Sequence, residues 1–127
     1  MLLFAALLFT DLTVKSLFED SSRAYCNPDG PWGWRLGIGM MTVLVIFALA
    51  GLVTAFVRNR SMSSRIVLIV ILAGGTGNLL DRALLGCVRD YTIVPWFPAF
   101  NLADIMITAG AVLALCFAGV RRSDGHV

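Results

Sequence analysis

Long apolar runs separated by short polar stretches dominate the chain. The longest, Leu36 to Val57, carries no charge, and Ala99 to Val120 carries only Asp104. A hydrocarbon core about 30 Å thick needs roughly 20 apolar residues at 1.5 Å each, so either run can cross it as a helix. Ile66 to Leu80 reaches that length only by continuing through Asp81 and Arg82 to Leu85. The N-terminal run MLLFAALLFT does so only by taking in Asp11 and Lys15 and ending near Leu17. The pattern predicts an all-α membrane protein: a bundle of four transmembrane helices, over approximately 1–17, 36–57, 66–85 and 99–120, with short extracytoplasmic loops. No repeat, low-complexity tract or long linker divides the chain, which reads as one domain over 1–127. Asp11 and Lys15 stand i,i+4 on one helical face, where they can neutralise each other. With no basic n-region and no small-x-small cleavage site, the first run reads as a retained helix rather than a cleaved signal peptide. Pro95 and Pro98 keep the fourth helix from extending backwards and Asn101 is a fair helix-start signal. Gly74, Gly75 and Gly77 let the third helix approach a neighbour closely.

Composition supports lipid as the solvent. The 127 residues are 58% hydrophobic and 14% charged, with a mean hydropathy of +0.84; soluble domains average about 45–50% apolar and about 25% charged. A soluble domain of this length could not hide so much apolar surface, because roughly a third of what its unfolded chain exposes stays wet. Disorder and a disulfide scaffold are excluded by the same composition and by a count of only three cysteines. The net charge of +2 is too small to suggest a nucleic-acid partner. Charge placement sets an orientation. Arg58, Arg60 and Arg65 lie between the second and third runs and Arg121-Arg122 after the fourth, so the positive-inside rule places both termini in the cytoplasm. The other two loops, about 19–35 and 86–98, hold Glu19, Asp20, Asp29 and Asp90 against Arg23, Arg35 and Arg89. They also hold Trp32, Trp34, Trp96, Tyr25 and Tyr91, as an interfacial aromatic belt would. Cys26, Cys87 and Cys116 match no metal spacing, and the only histidine is His126. Two readings stay open for them: idle thiols, or a Cys26–Cys87 bridge if both face an oxidising side.

Acids within a bilayer are functional suspects, since an ionised Asp at its centre costs at least about 2.5–3.5 kcal/mol. Asp104 lies near the start of the fourth span with Asn101 one turn earlier, Asn78 and Asp81 stand i,i+3 on the third beside Arg82, and Asp90 follows in the outer loop. With these two spans antiparallel, Asn78, Asp81, Asp90, Asn101 and Asp104 can converge near the outer surface. Plainer roles exist for each alone. Asp11–Lys15 can be a structural ion pair, Arg82 a helix cap or headgroup contact, Asp104 a first-turn acid favoured by the helix dipole, and Asp90 a solvated loop residue. Together, two carboxylates in a low-dielectric site divide one proton, so one can activate water while the other protonates a leaving amine. There is no GxSxG, no HExxH and no Cys–His pairing, so among hydrolases only an aspartic mechanism fits. The rival is a small proton- or ion-coupled membrane carrier. It would need a polar path to the cytoplasm, whereas spans two and four below their outer third offer only Thr42, Thr54 and Thr108.

GGTGNLLDR (Gly74–Arg82), then Val88-Arg89-Asp90, then FNLADIMI (Phe100–Ile107) resembles the lipoprotein signal peptidases, or signal peptidase II family, whose members carry GGxxGNxxDR, V-x-D and FNxAD in that order. DLTVK (Asp11–Lys15) resembles their D-x-x-x-K motif, and Asn27 with Trp32-Gly33 their N-x-G-x-x-F-G segment. The resemblance spans nearly the whole chain. It implies a multi-pass aspartic endopeptidase of the bacterial inner membrane that removes the signal peptide of diacylglyceryl-modified prolipoproteins, cutting before the lipidated cysteine at a site near the extracytoplasmic face. It implies Asp90 and Asp104 as catalytic residues, with Asn78, Asp81, Arg82 and Asn101 shaping the pocket and Asp11, Lys15 and Asn27 in support or substrate contact. No metal and no organic cofactor are implied; the partners implied are the lipid-modified prolipoprotein and membrane lipid. The outer stretches are shorter than the family's, leaving little room for its extracytoplasmic sheet and partner helix.

Overall fold

A computed structural model describes residues 1–19, 25–28, 38–58 and 61–123. Four helices account for most of them: α1 (Leu2–Glu19), α2 (Ile38–Arg58), α3 (Met62–Leu85) and α4 (Leu102–Ser123). Each lies within a few residues of an apolar run. α3 starts four residues early because Ser61 takes an extended N-cap conformation and Met62–Arg65 follow as helix. α3 ends at Gly86, whose φ of 75° is the left-handed cap glycine favours, with its N–H donating to the Arg82 carbonyl at 3.1 Å. α4 starts late because the residues before Asn101 pair as a strand. Among the described residues, α3 is long and apolar enough to cross a membrane; the apolar stretches Thr42–Arg58 and Leu102–Phe117 are shorter.

The all-α expectation needs correction. Four short strands, β1 (Tyr25–Asn27), β2 (Val88–Asp90), β3 (Thr92–Val94) and β4 (Phe97–Phe100), form two antiparallel pairs. β1 pairs with β2, Asn27 opposite Val88 and Tyr25 opposite Asp90; β3 turns at Pro95-Trp96 onto β4. Strands of three or four residues are too short to display the two-residue alternation by which a strand is read. The short segments between the helices thus carry sheet after all. Trp96 takes a positive φ of 68° in the turn and is fully exposed, as Tyr25 largely is. Trp32, Trp34 and Gly33 lie outside the described residues, as do Arg60 and His126.

α3 is the hub, packing against α4, α2 and α1. Its glycines explain how. A Cβ on Gly74 would lie 2.6 Å from the Ala103 carbonyl oxygen of α4, one on Gly75 would lie 2.7 Å from the Leu49 side chain of α2, and one on Gly77 would strike the Asp11 carboxylate of α1. Three glycines within one helical turn thus admit three different neighbours, the close approach that small residues allow between helices.

Burial is inverted relative to a soluble domain. Phe9, Phe47, Leu84 and Leu115 are 72%, 71%, 78% and 73% exposed, whereas the largest fully buried side chains are Lys15, Asn101, Asp11 and Asp81. Long charged side chains are almost never fully buried unless paired. A polar cluster around α3 therefore shares the interior with a small apolar core that includes Val67, Ile71, Val88 and Met106, while many large apolar side chains face outward.

Candidate active site

The buried polar groups form one connected network at the junction of α1, α3, β2 and the start of α4. It begins with the backbone of α4. The first N–H groups of a helix have no partner within it, and buried ones must find one elsewhere. Here four side-chain atoms satisfy four successive donors. Asn101 N–H donates to Asp104 Oδ2 (3.0 Å), Leu102 N–H to the Tyr91 hydroxyl (2.9 Å), Ala103 N–H to Asp11 Oδ1 (3.0 Å) and Asp104 N–H to Asn101 Oδ1 (3.1 Å). Asn101 and Asp104 cap each other reciprocally, as a capping box does. Asp104 is thus fixed in rotamer by the helix it opens.

Lys15 sits at the centre, fully buried. Its ammonium has three donors and finds three acceptors: Asp11 Oδ2 at 2.9 Å, Asn78 Oδ1 at 2.9 Å and Asp81 Oδ2 at 3.3 Å. The i,i+4 pair with Asp11 is as expected, and Asp81 joins it. The second partner of Asp81 is Arg89, by a 2.8 Å contact from Nη2 to Oδ1 and by the Arg89 N–H to Oδ2 at 3.1 Å. Arg82, next to Asp81 in sequence, instead donates to the Asn78 carbonyl one turn back at 3.2 Å. Residues adjacent on a helix point to different faces, so the cations that meet Asp81 come from α1 and β2 rather than from Arg82.

The two remaining carboxylates are held by amides. Asp104 Oδ1 accepts from Asn78 Nδ2 at 2.8 Å. Asp90 accepts from Asn101 Nδ2 on Oδ1 at 2.8 Å and from Asn27 Nδ2 on Oδ2 at 2.9 Å. Asn101 Nδ2 also lies 3.1 Å from Asn78 Oδ1. Asn101 therefore contacts Asp90 and Asp104 directly, and α3, β2 and the start of α4 converge as their spacing suggested, with Asn27 of β1 joining them. All nine candidate residues, Asp11, Lys15, Asn27, Asn78, Asp81, Arg82, Asp90, Asn101 and Asp104, belong to this cluster.

Burial pushes the Asp90 carboxyl from 3.8 up to about 6; the charge of Asp104 adds to the rise, while the Asn27 and Asn101 hydrogen bonds and Lys15 oppose it. The Tyr91 hydroxyl is likewise raised, chiefly by burial. A consequence for stability follows for Asp90. A folded-state value above the unfolded one means the native protein binds the proton more tightly. That contribution is complete below about 3.8 and is lost as pH rises through about 6, a difference of roughly 3 kcal/mol. Asp90→Asn removes the charge, so its melting temperature in detergent should exceed that of the wild type at pH 8 and converge with it near pH 4. A gap independent of pH would show that Asp90 does not titrate this way.

Three contributors were not legible as such. The sequence shows Arg89 only as a loop charge beside Asp90, and its approach to Asp81 depends on the chain reversal at Gly86. Tyr91 stood among the aromatic-belt residues, whereas its hydroxyl caps Leu102 and its ring stacks on Phe18 with centroids 4.7 Å apart. The cysteine alternatives resolve in favour of the bridge: Cys26 and Cys87 form a disulfide, and Cys116 is free and exposed.

This fold is shared with solved proteins. A bacterial membrane enzyme structure determined by the in meso method at 2.3 Å resolution superposes with a TM-score of 0.84 at 22% identity, over 99% of this chain and 90% of that one. A second, at 1.9 Å resolution, gives 0.81 over 92% and 90% at the same identity. Sequence goes further than fold. The signal peptidase (SPase) II family profile matches residues 3–119, and the chain belongs to that family. Among its relatives is a lipoprotein signal peptidase from Anaplasma phagocytophilum (strain HZ), 34% identical over 79% of this chain and 73% of the relative. One from Neisseria gonorrhoeae (strain ATCC 700825 / FA 1090) is 38% identical over 91% and 71%. One from Pseudomonas aeruginosa (strain UCBPP-PA14) is 37% identical over 81% of this chain but 64% of its own length. The chain thus spans roughly two thirds of the length of such relatives.

Proposed function

We propose that this chain is an intramembrane aspartic endopeptidase, a single domain over 1–127, that removes the signal peptide from diacylglyceryl-modified prolipoproteins by cutting before the lipidated cysteine. Family membership supports removal of a prolipoprotein signal peptide, and the observation that carries the aspartic mechanism is the pair Asp90 and Asp104, both contacted by Asn101. Charge counting supports a shared proton. With every group ionised, the cluster sets Asp11, Asp81, Asp90 and Asp104 against Lys15, Arg82 and Arg89, an excess of one negative charge, and one proton on the catalytic pair removes it. Lys15 and Arg89 already neutralise Asp11 and Asp81, so the proton belongs to the pair Asp90 and Asp104. The ionised member takes a proton from water as the water attacks the scissile carbonyl; the protonated member gives its proton to the leaving amine. Nothing in this sequence of steps requires a metal or an organic cofactor, and nucleic acid has no part in it.

The same reading places four spans in the bacterial inner membrane with both termini cytoplasmic. The many large apolar side chains left exposed around a buried charged cluster support lipid as the surrounding medium. The disulfide supports an oxidising, extracytoplasmic location for β1 and β2, on the side opposite the Arg58 and Arg65 loop. The diacylglyceryl chains would lie in lipid between spans, bringing the scissile bond to the depth of the acids. The carrier alternative draws no support, since the buried polar residues all belong to this one cluster among the described residues. The purified protein, incubated with a diacylglyceryl-modified precursor, should produce a mass loss equal to the signal peptide. Absence of that product, or equal cutting of the unlipidated precursor, would contradict the reading.

A further inference from the structure

The Cys26–Cys87 bridge joins residues 61 apart in sequence, and both ends lie beside the site. Cys26 is the middle residue of β1, opposite Arg89; Cys87 follows the Gly86 cap of α3 and leads directly into β2. The next residue of β1 is Asn27, whose amide donates to Asp90 Oδ2. β1 meets the rest of the described chain chiefly through β2. A two-stranded ladder of three residues a side is too short to hold its register in water unaided. The covalent tie is therefore what keeps Asn27 opposite Val88 and its amide over the carboxylate two residues further along β2.

We propose that the Cys26–Cys87 disulfide is a positioning device for the catalytic pair, holding Asn27 on Asp90, and that its reduction by an external dithiol slows cleavage. The proposal rests on the aspartic reading above. Cys26 is exposed and Cys87 is 5% exposed, so attack comes at the Cys26 sulfur. A thiolate of the dithiol bonds to it, the S–S bond breaks and Cys87 leaves as a thiolate that takes a proton. The second thiol then displaces Cys26, so two electrons pass to the protein and the dithiol becomes a disulfide. The groups facing Asp90 from the other elements, Asp104 of α4, Lys15 of α1 and Arg82 of α3, stay in place. Only the Asn27 donation is lost. A hydrogen bond to a carboxylate favours its ionised form, so Asp90 keeps its proton to higher pH once Asn27 is released.

The test compares oxidised and dithiol-reduced wild-type protein, in one detergent, cleaving a diacylglyceryl-modified precursor across a pH series. The precursor's lipidated cysteine is a thioether and does not react with the reductant. Turnover at neutral pH should fall on the order of tenfold on reduction, the loss of one hydrogen bond to a charged group. The limb of the pH–rate profile governed by Asp90 should move to higher pH, and reoxidation should restore both. The Cys26→Ser/Cys87→Ser variant should reproduce the reduced profile and ignore the dithiol; where it does not accumulate folded, reduced wild-type protein carries the measurement. Unchanged turnover on reduction, or a loss with the limb unmoved, would overturn the proposal. Infrared titration of the Asp90 carboxyl in both redox states reads the same shift without activity. Failure of the oxidised protein to cut therefore counts against the function, and an unmoved titration counts against the disulfide's role.

Discussion

Asp90→Asn and Asp104→Asn are each expected to lower cleavage of a lipid-modified precursor by about three orders of magnitude or more while leaving a folded protein. The geometry separates the two effects. Each carboxylate accepts hydrogen bonds from side-chain amides, Asp90 from Asn27 and Asn101 and Asp104 from Asn78, and an asparagine keeps the shape and one acceptor oxygen in the same place. It can neither hold a negative charge nor exchange a proton, so general acid–base catalysis, worth about 10²–10⁴-fold per group, is lost. In the proposed mechanism both acids act on one water and one leaving group, so the double variant should be scarcely slower than either single one. Asp81→Asn should keep measurable activity, since Asp81 meets Lys15 and Arg89 and neither of the two amide-held acids. Near-native turnover in either single variant would move the chemistry to another carboxylate, with Asp81 the first candidate.

The largest effect on folding should come from Lys15→Met. The lysine ammonium is fully buried and compensates two buried carboxylates at once, Asp11 and Asp81. Breaking a buried pair by removing one partner costs about 3–5 kcal/mol, because a charge is left without compensation. Asp81 keeps Arg89, whereas Asp11 keeps only the Ala103 N–H among its contacts described above. The burden therefore falls on Asp11, and Asp11→Asn added to Lys15→Met should recover part of the lost yield and melting temperature. Size-exclusion profiles and thermal unfolding in detergent report both. Normal yield and stability with no turnover in Lys15→Met would place the ammonium in the chemistry instead of the scaffold.

The length of the apolar runs carried the helices, because an uninterrupted apolar run of about 20 residues is legible whatever its internal order. The Asp11–Lys15 pair was legible for a similar reason: i,i+4 spacing is a local property of a helix. Convergence of Asn78, Asp81, Asn101 and Asp104 followed from antiparallel neighbours alone. What depended on short strands was not legible. Three residues show no alternation, so neither the β1–β2 pairing nor the Asn27–Asp90 contact across it could be derived from pattern. Arg89 was hidden for the same reason, since its meeting with Asp81 depends on the chain reversing at Gly86. The Cys26–Cys87 bridge requires knowing that strand register, and spacing along the chain does not contain it. The Tyr91 cap on Leu102 is likewise a tertiary contact, from the residue between β2 and β3 to the first residue of α4, that no local signal marks.

The central claim, that Asp90 and Asp104 direct water at the peptide bond without a covalent enzyme intermediate, is tested most directly by the products formed in H₂¹⁸O containing hydroxylamine. An attacking water delivers one ¹⁸O to the new carboxyl terminus of the signal peptide, and mass spectrometry should find that labelled acid alone. An acyl-enzyme would be intercepted by hydroxylamine to give a signal-peptide hydroxamate. Detection of the hydroxamate would contradict the aspartic mechanism.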